Sequence, residues 1–161
     1  MSRRIFPLTV LGACILALTA ACGQKSAPVD PAVKAVQKAR HDGFEAMGDA
    51  FKSIIDALKA GGSLDAKMTE AAHEIDKHAG QIVDWFPAGS GPESGAKTEA
   101  KAEIWQQPEL FAEKREKLVV EAGKFAALAD AGDAAGFAEQ VKAVGGSCKG
   151  CHDTFREKDE D

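Results

Sequence analysis

Apolar side chains recur every three or four residues along most of this chain, which is the spacing of one face of an α-helix. The first such stripe consists of Val33, Val36, Phe44, Met47, Phe51, Ile54, Ile55 and Leu58. It follows Asp30-Pro31, where an N-cap acceptor precedes a proline at the first helical position. The pair Gly61-Gly62 comes directly after the stripe and is expected to end the helix. A long first helix is therefore predicted between these two signals.

Three more stripes follow, after Ser63 as a candidate N-cap, from Pro108, and after Asp133 as a candidate N-cap. Their core sides consist of Leu64, Met68, Ala71, Ile75, Ala79, Ile82 and Trp85; Phe111, Leu118, Ala122 and Phe125; and Phe137, Val141, Val144, Cys148, Cys151 and Phe155. Residues 86–103 have no periodicity and are predicted to form a long connection, with Ile104-Trp105 fixing its end to the core. Four amphipathic helices without a strand candidate predict an all-α, antiparallel four-helix bundle.

Residues 1–21 do not belong to this pattern. Arg3 and Arg4 precede a run of about 16 uncharged residues that is interrupted by Pro7, and small residues follow it. A membrane-spanning helix needs about 20 apolar residues, so the pattern predicts an export signal. Residues 22–30 then form a polar tether, and residues 31–161 form the folded domain.

The sequence around Cys22 leaves two interpretations open. Small residues before it and "GQKS" after it resemble a bacterial lipoprotein signal, in which Cys22 would carry a lipid anchor. Thr19 stands where that pattern prefers Leu, and the alternative is ordinary cleavage near Ala20 or Ala21. The segment "LGAC", ending at Cys14, also fits locally, but it leaves a very short apolar region before the cleavage site.

Composition narrows the choice of partners. The 161 residues carry a formal net charge of −5, and the predicted signal contains two arginines and no acidic residue, so its removal makes the domain more acidic. No basic run is interleaved with aromatic residues, which argues against nucleic-acid binding.

The segment "CKGCH" holds the residues with the most distinctive chemistry. At about 100° per residue, Cys148, Cys151 and His152 project from one side of the fourth helix toward the bundle core. A zinc site needs about four ligands, and the other histidines, His41, His73 and His78, have no paired ligand spacing. A thioredoxin-like couple would follow a strand at a helix N-terminus, and a Cys–His nucleophile would need an orienting group and an oxyanion hole. None of these contexts is present in the sequence.

C-x-x-C-H is instead the attachment pattern of c-type haem. Two thiols one helical turn apart can bond to the two vinyl groups on one edge of a porphyrin, and the adjacent histidine can ligate the iron. A bundle core is also where such folds place cofactors. The sequence therefore predicts one covalently bound haem c, attached through Cys148 and Cys151, with His152 as an axial iron ligand.

Several motifs together resemble the cytochrome c′ family, the class II c-type cytochromes. They are "ARHDGFEAMGDAFK" at residues 39–52, "AEIW" at 102–105, "DAGD" at 130–133, and "VGGSC" and "CKGCHDTFR" in the last helix. The similarity extends over residues 33–158. It implies that the four-helix bundle is left-handed, with His152 as the proximal ligand.

The resemblance also bears on the opposite axial position. In the family, this position is governed by the residue four after the first-helix arginine, which here makes it Phe44, four after Arg40. Low-spin relatives place a ligating Met there, whereas Met47 comes three residues later in this chain and is expected to pack in the core or line the haem pocket. Since a phenyl ring has no lone pair for iron, a five-coordinate, high-spin state with an apolar distal pocket is predicted. The alternative is a low-spin, six-coordinate cytochrome that only transfers electrons.

Function and the remaining pocket residues follow from the same resemblance. It implies binding of NO and CO, one-electron exchange with redox partner proteins, or both, in the periplasm and without catalysis, since no distal acid–base residue is visible. Arg40 is expected to contact a haem propionate rather than only extend to solvent, and Arg156 either lies near the proximal side or only complements the helix dipole. Members of the family often form homodimers through the first two helices.

Overall fold

The computed structural model describes residues 28–158 and shows the chain as a bundle of helices. The α-helices of this range are α1 (Pro31–Lys59), α2 (Ala66–Gln81), the short α3 (Glu103–Gln106), α4 (Pro108–Asp130) and α5 (Ala134–Phe155). The long helices pack in chain order, α1 on α2, α2 on α4 and α4 on α5. Within the described range, the only β-type pairing is an isolated bridge. The predicted all-α, antiparallel, left-handed four-helix bundle is confirmed.

Side-chain caps begin three of the long helices. The Asp30 carboxylate accepts a hydrogen bond from the Ala32 amide at 2.8 Å, and the Asp133 carboxylate accepts one from the Gly136 amide at 2.9 Å. Both caps were predicted, as was the start of α4 at Pro108. The predicted cap of α2 was wrong by two residues, because Asp65, and not Ser63, accepts from the Met68 amide at 2.8 Å. Ser and Asp are both good N-caps, so periodicity alone could not choose between them.

The main core lies inward of all four long helices. Its fully buried members include Ile54, Phe125, Phe137 and Val144, and the rings of Phe125 and Phe137 stack at 4.1 Å between centroids. Val144 lies near the middle of α5, whereas Ile54, Phe125 and Phe137 come from the last turns of α1 and α4 and the first turn of α5. This end of the bundle, here called the closed end, is therefore filled by side chains.

The long connection between α2 and α4 covers the other end, here called the open end. Its residues Ala100 and Ile104 form a second buried cluster with Phe155 at the end of α5. Two backbone hydrogen bonds attach the connection to that helix, from the Lys101 amide to the Phe155 carbonyl at 2.9 Å and from the Glu157 amide to the Glu99 carbonyl at 2.7 Å. The predicted role of Ile104-Trp105 in fixing the connection is thus confirmed.

The predicted export signal (residues 1–21) and most of the predicted tether (22–30) lie outside the described residues. Among residues 28–158, no helix combines the length and the apolar character that crossing a membrane requires.

Candidate functional site

A cavity of about 710 Å³ opens between α1 and α5 at the open end. Helices α2 and α4 form its floor, and the connection forms part of its rim. Its apolar wall includes Phe44, Phe51, Phe86, Phe111, Leu118 and Val144. Pockets for small molecules and cofactors typically have volumes of 300–1,000 Å³ and are mostly apolar with a few polar groups. The cavity is therefore large enough for a sizeable, mainly apolar ligand.

Helix α5 brings the two cysteines and the histidine to the wall of this cavity. Cys148 and Cys151 are half-buried free thiols, and His152 follows on the same side of the helix. Cys148 packs against the main core, and Cys151 packs against the cluster under the connection. The two thiols thus follow the cavity wall over one helical turn.

Burial controls the chemistry of these thiols. It raises the pKa of Cys148, and together with the neighbouring Cys148 it raises the pKa of Cys151 to about 11. Both groups therefore stay protonated at neutral pH, whereas nucleophilic and redox-active cysteines work as thiolates with lowered pKa values. Within residues 28–158, no cluster of three or more metal-ligating side chains is present. The raised pKa values of the thiols disfavour a redox couple and a nucleophile.

The pKa of His152 is shifted in the opposite direction from those of the two cysteines. Partial burial, followed by the positive charge of Arg156, lowers the pKa of its imidazole. The ring is therefore neutral at pH 7 and keeps a lone pair for a metal. Its centroid lies 6.4 Å from the Phe44 ring across the cavity, with the two ring planes at 72°.

Phe44 belongs to an aromatic group on the α1 side of the cavity. Its ring meets Trp85 edge to face at 5.1 Å and Phe86 at 6.2 Å. Met47, three residues further along α1, is buried in the main core and also lines the cavity. Both of the roles expected for Met47 are thus compatible with its position.

Arg40 lies at the rim of the cavity and is only 6% exposed. Its guanidinium donates hydrogen bonds to the Trp85 carbonyl at 3.0 Å, the Ser90 carbonyl at 3.1 Å, the Ser90 hydroxyl at 2.9 Å and the Thr98 hydroxyl at 3.3 Å. It also lies 4.3 Å from the centre of the Phe86 ring. Burial lowers its pKa to about 10, so it remains a cation at neutral pH. Arg40 therefore binds the connection to α1, a role that the sequence did not reveal.

Arg156 lies where α5 ends, and its side chain lines the cavity. Its Nε donates to the Glu99 carboxylate at 2.8 Å, and its backbone amide donates to the His152 carbonyl at 3.1 Å. Glu99, which belongs to the connection, thus holds the guanidinium of Arg156 near His152.

The structure adds residues that sequence reasoning placed elsewhere. His41 and Glu45, 3.7 Å apart on the exposed side of α1, also line the cavity rim, together with Lys97, Lys114 and Arg115. His78, which the sequence did not place in any site, has a side chain that is only 15% exposed and lies between Glu74 and Trp85. His41 directly follows Arg40 on α1, beside the core-facing stripe. This was the only sequence feature that could have indicated its position at the cavity rim.

The donor set and the cavity fit a covalently bound haem. Two protonated thiols and a neutral imidazole share one face of α5, beside an apolar space bounded on the far side by Phe44. The rings of Phe44 and His152 line this space with their centroids 6.4 Å apart.

Comparison with known proteins gives the same result. The family described as Cytochrome C′ matches residues 35–156. This chain belongs to the cytochrome c′ family. A cytochrome c′ from Pararhodospirillum photometricum is 36% identical over 118 residues, which cover 73% of this chain and 93% of that protein.

Solved cytochrome c′ structures share the fold. The protein from Thermochromatium tepidum aligns with a TM-score of 0.74 at 26% identity, over 80% of this chain and all of that one. Two single-residue variants of the Alcaligenes xylosoxidans protein, one in complex with nitric oxide and one with carbon monoxide bound, each align with a TM-score of 0.70 at 25% identity. Both cover 78% of this chain. As a member of this family, the chain binds covalently attached haem c.

Proposed function

We propose that this cytochrome c′ binds NO and CO at a haem iron that has one open axial position, and that it can also carry one electron. In this proposal Cys148 and Cys151 hold the haem as thioethers, and His152 ligates the iron. The position of all three side chains on one cavity wall supports the assignment, as do NO and CO in the complexes of the Alcaligenes xylosoxidans relative.

The protein's own residues bind, orient and shield the cofactor. The thiol pair on α5 fixes one edge of the group, and the neutral His152 presents a lone pair toward the cavity. Phe44, Phe86 and Phe111 form a continuous aromatic wall that would shield the bound group from water. Haem, when bound, supplies an iron that changes oxidation state by one electron and accepts a diatomic ligand.

The position of Phe44 carries the proposal. Its ring is opposite His152, at 6.4 Å, and it has no lone pair with which to ligate iron. The iron is therefore expected to be five-coordinate and high-spin, with an apolar distal face. A small neutral molecule can enter such a site if Phe44 swings aside, whereas a charged ligand would lose its hydration in the apolar pocket.

One observation keeps the low-spin alternative in view. Met47 lines the same cavity, and its thioether is the kind of group that ligates haem iron in electron-transfer cytochromes. It is also packed in the main core, one turn deeper along α1 than Phe44. Met47 would have to leave this packing before its thioether could occupy the open axial position, so the high-spin proposal is favoured.

Optical spectroscopy of the purified holoprotein tests the choice. We expect high-spin spectra in both oxidation states and a clear spectral change when CO or NO is added to the reduced protein. A low-spin reduced spectrum that does not respond to CO would overturn the open site and favour Met47 ligation. Variants Cys148→Ser and Cys151→Ser should each remove one thioether, which mass spectrometry of the denatured protein can detect.

We assign the protein to ligand binding and electron transfer rather than to catalysis. The rings nearest to Phe44 are those of Trp85, Phe86 and His152, of which His152 is assigned to the iron. His41 and Glu45 are the nearest titratable pair on α1, and they lie on its exposed side. General acid–base catalysis needs such a group within hydrogen-bond reach of the reacting atom, so this wall supports binding and not turnover.

We further propose that the protein acts in the periplasm, after removal of residues 1–21, with redox partner proteins as electron donors or acceptors. Attachment of lipid at Cys22 would tether it to a membrane, and residues 22–30 would then serve as the tether. Mass spectrometry of the mature N-terminus distinguishes lipidated Cys22 from ordinary cleavage near it. Sedimentation of the same preparation tests the expected homodimer.

A further inference from the structure

The indole of Trp85 lies directly against the backbone of α1 at Gly43. A Cβ atom added to Gly43 would lie 2.2 Å from Cη2 and 2.3 Å from Cζ2 of Trp85. Carbon atoms in contact are normally 3.5–4.0 Å apart. The indole can therefore occupy this position only because residue 43 has no side chain.

Other contacts hold Trp85 from different directions. Its carbonyl accepts a hydrogen bond from Nε of Arg40 at 3.0 Å, and its ring lies 6.0 Å from the ring of His78 on α2. Trp85 is 7% exposed. With α1 on one side and His78 on the other, the indole has little room to change its conformation.

This fixed indole is the nearest aromatic neighbour of Phe44. The two rings meet edge to face, with centroids 5.1 Å apart and planes at 73°. Phe44 directly follows Gly43 on α1, so Trp85 contacts both residues at the same turn of the helix. Rotation of the Phe44 side chain away from His152 has to break or rearrange the contact with Trp85.

We propose that Trp85, seated on Gly43, is a positioning residue that holds Phe44 over the open axial position and thereby sets how fast diatomic ligands enter. The inference rests on the proposed function, since it assumes that ligands reach iron on the Phe44 side. Trp85 itself touches neither ligand nor metal in this scheme. Its effect is on the opening of the pocket.

The first test compares CO association with the reduced holoprotein in the wild type and in Trp85→Leu. Leucine keeps an apolar side chain but removes the ring edge that faces Phe44. The free energy of one edge-to-face aromatic contact corresponds to a roughly 2- to 12-fold change in rate. We expect CO to associate faster in the variant by a factor in this range, with the CO-free spectrum unchanged because His152 still ligates the iron.

The second variant, Gly43→Ala, acts on the same contact without removing the tryptophan. Its methyl group has to displace the indole from α1, while alanine favours the helix by about 1 kcal/mol over glycine. CO association should again become faster, and the near-UV circular dichroism of the indole should change. Gly80→Ala on α2 is the matched control, since a Cβ there meets no atom within 4 Å, and it should alter neither signal.

These measurements separate the possible results. Faster CO association in Gly43→Ala but not in Gly80→Ala supports the inference, even if Trp85→Leu does not fold. A displaced indole with an unchanged CO rate overturns it and leaves Trp85 with a purely structural role, while the proposed function stands. Failure of the wild type to bind CO would overturn the proposed function and, with it, this inference.

Discussion

The closed and open ends of the bundle are built from the same four helices, yet they are completed in different ways. At the closed end, Phe125 and Phe137 stack at 4.1 Å and are fully buried, as is Ile54. At the open end, aromatic rings such as Phe44 and Phe86 are only half-buried and surround a cavity of about 710 Å³. Protein interiors otherwise leave few voids larger than a water molecule. The open end is therefore a core whose missing volume is supplied by the haem.

Hydrogen bonding shows the same difference. The open end contains a buried cation, Arg40, that is bonded to Trp85, Ser90 and Thr98. Within residues 28–158, no buried side-chain nitrogen or oxygen atom lacks a hydrogen-bond partner. Apolar packing therefore stabilises the closed end, whereas the walls of the open end are positioned by a polar network that crosses from α1 to the connection.

Removing a ring from the closed end should have the largest effect on stability. Phe137→Ala removes a fully buried ring together with its stacking contact with Phe125, so we expect a loss of about 3–5 kcal/mol in the free energy of unfolding. Urea denaturation followed by circular dichroism measures it. The visible spectrum and CO binding of the remaining folded protein should be unchanged, and Val83→Ala at an exposed position should leave stability near that of the wild type. A stability loss as small as that of Val83→Ala would contradict the comparison.

Removing the buried cation should have the next largest effect, and it should act on the connection. Arg40→Leu removes the Nε donor of the Trp85 carbonyl and leaves the Ser90 carbonyl with only the Gln37 amide, at 3.3 Å, as its side-chain donor, for an expected loss of about 2–4 kcal/mol. Trypsin should cleave faster at Lys97 in the variant because the connection is released from α1. Arg40→Lys should restore only part of the stability, since an ammonium cannot span the same carbonyls as the guanidinium fork. Full restoration by Lys would show that charge, and not the fork, holds the connection.

The two ends also differ in how far they could be predicted from the sequence. Regular stripes and caps predicted the long helices, and the same periodicity placed Cys148, Cys151 and His152 on the core side of the last helix. Such local signals suffice because a helix repeats its contacts every three or four residues. The exception was the start of α2, where Ser63 and Asp65 are both acceptable caps and only Asp65 makes the bond.

The polar network and the aromatic wall of the open end were not predictable in this way. Arg40 reaches partners 45, 50 and 58 residues away, all between the end of α2 and the start of α3. The close approach of Trp85 to Gly43 likewise depends on the angle at which the connection leaves α2. No period or motif encodes these distances, so the sequence could indicate a propionate contact for Arg40 but not its bonds to the loop. That propionate contact stays a prediction.

A substitution at Phe44 should change the iron site with little effect on the fold. Phe44→Met replaces a half-buried ring by a flexible apolar chain of similar volume, and the expected loss of stability is under about 1.5 kcal/mol. Its thioether should ligate the iron, so the reduced spectrum should become low-spin and CO should no longer bind readily. Phe51→Met, two turns further along α1 and in contact with Gly145, is the control and should stay high-spin. An unchanged spin state in Phe44→Met would show that another residue occupies the position opposite His152.

The ion pair between Glu99 and Arg156 should contribute the least to stability. Both side chains are about half exposed, at 59% and 45%, and exposed pairs typically contribute about 0–1 kcal/mol. In Glu99→Gln, the backbone bonds that join residues 99–101 to the end of α5 remain, so the connection should stay attached. Urea denaturation should show a loss of stability within that range for Glu99→Gln, and the loss should disappear in 1 M salt. Asp42→Asn, which breaks an exposed ion pair on α1, should behave in the same way. A loss above about 2 kcal/mol that persists in salt would mean that this surface pair, in addition to the Arg40 network, holds the open end together.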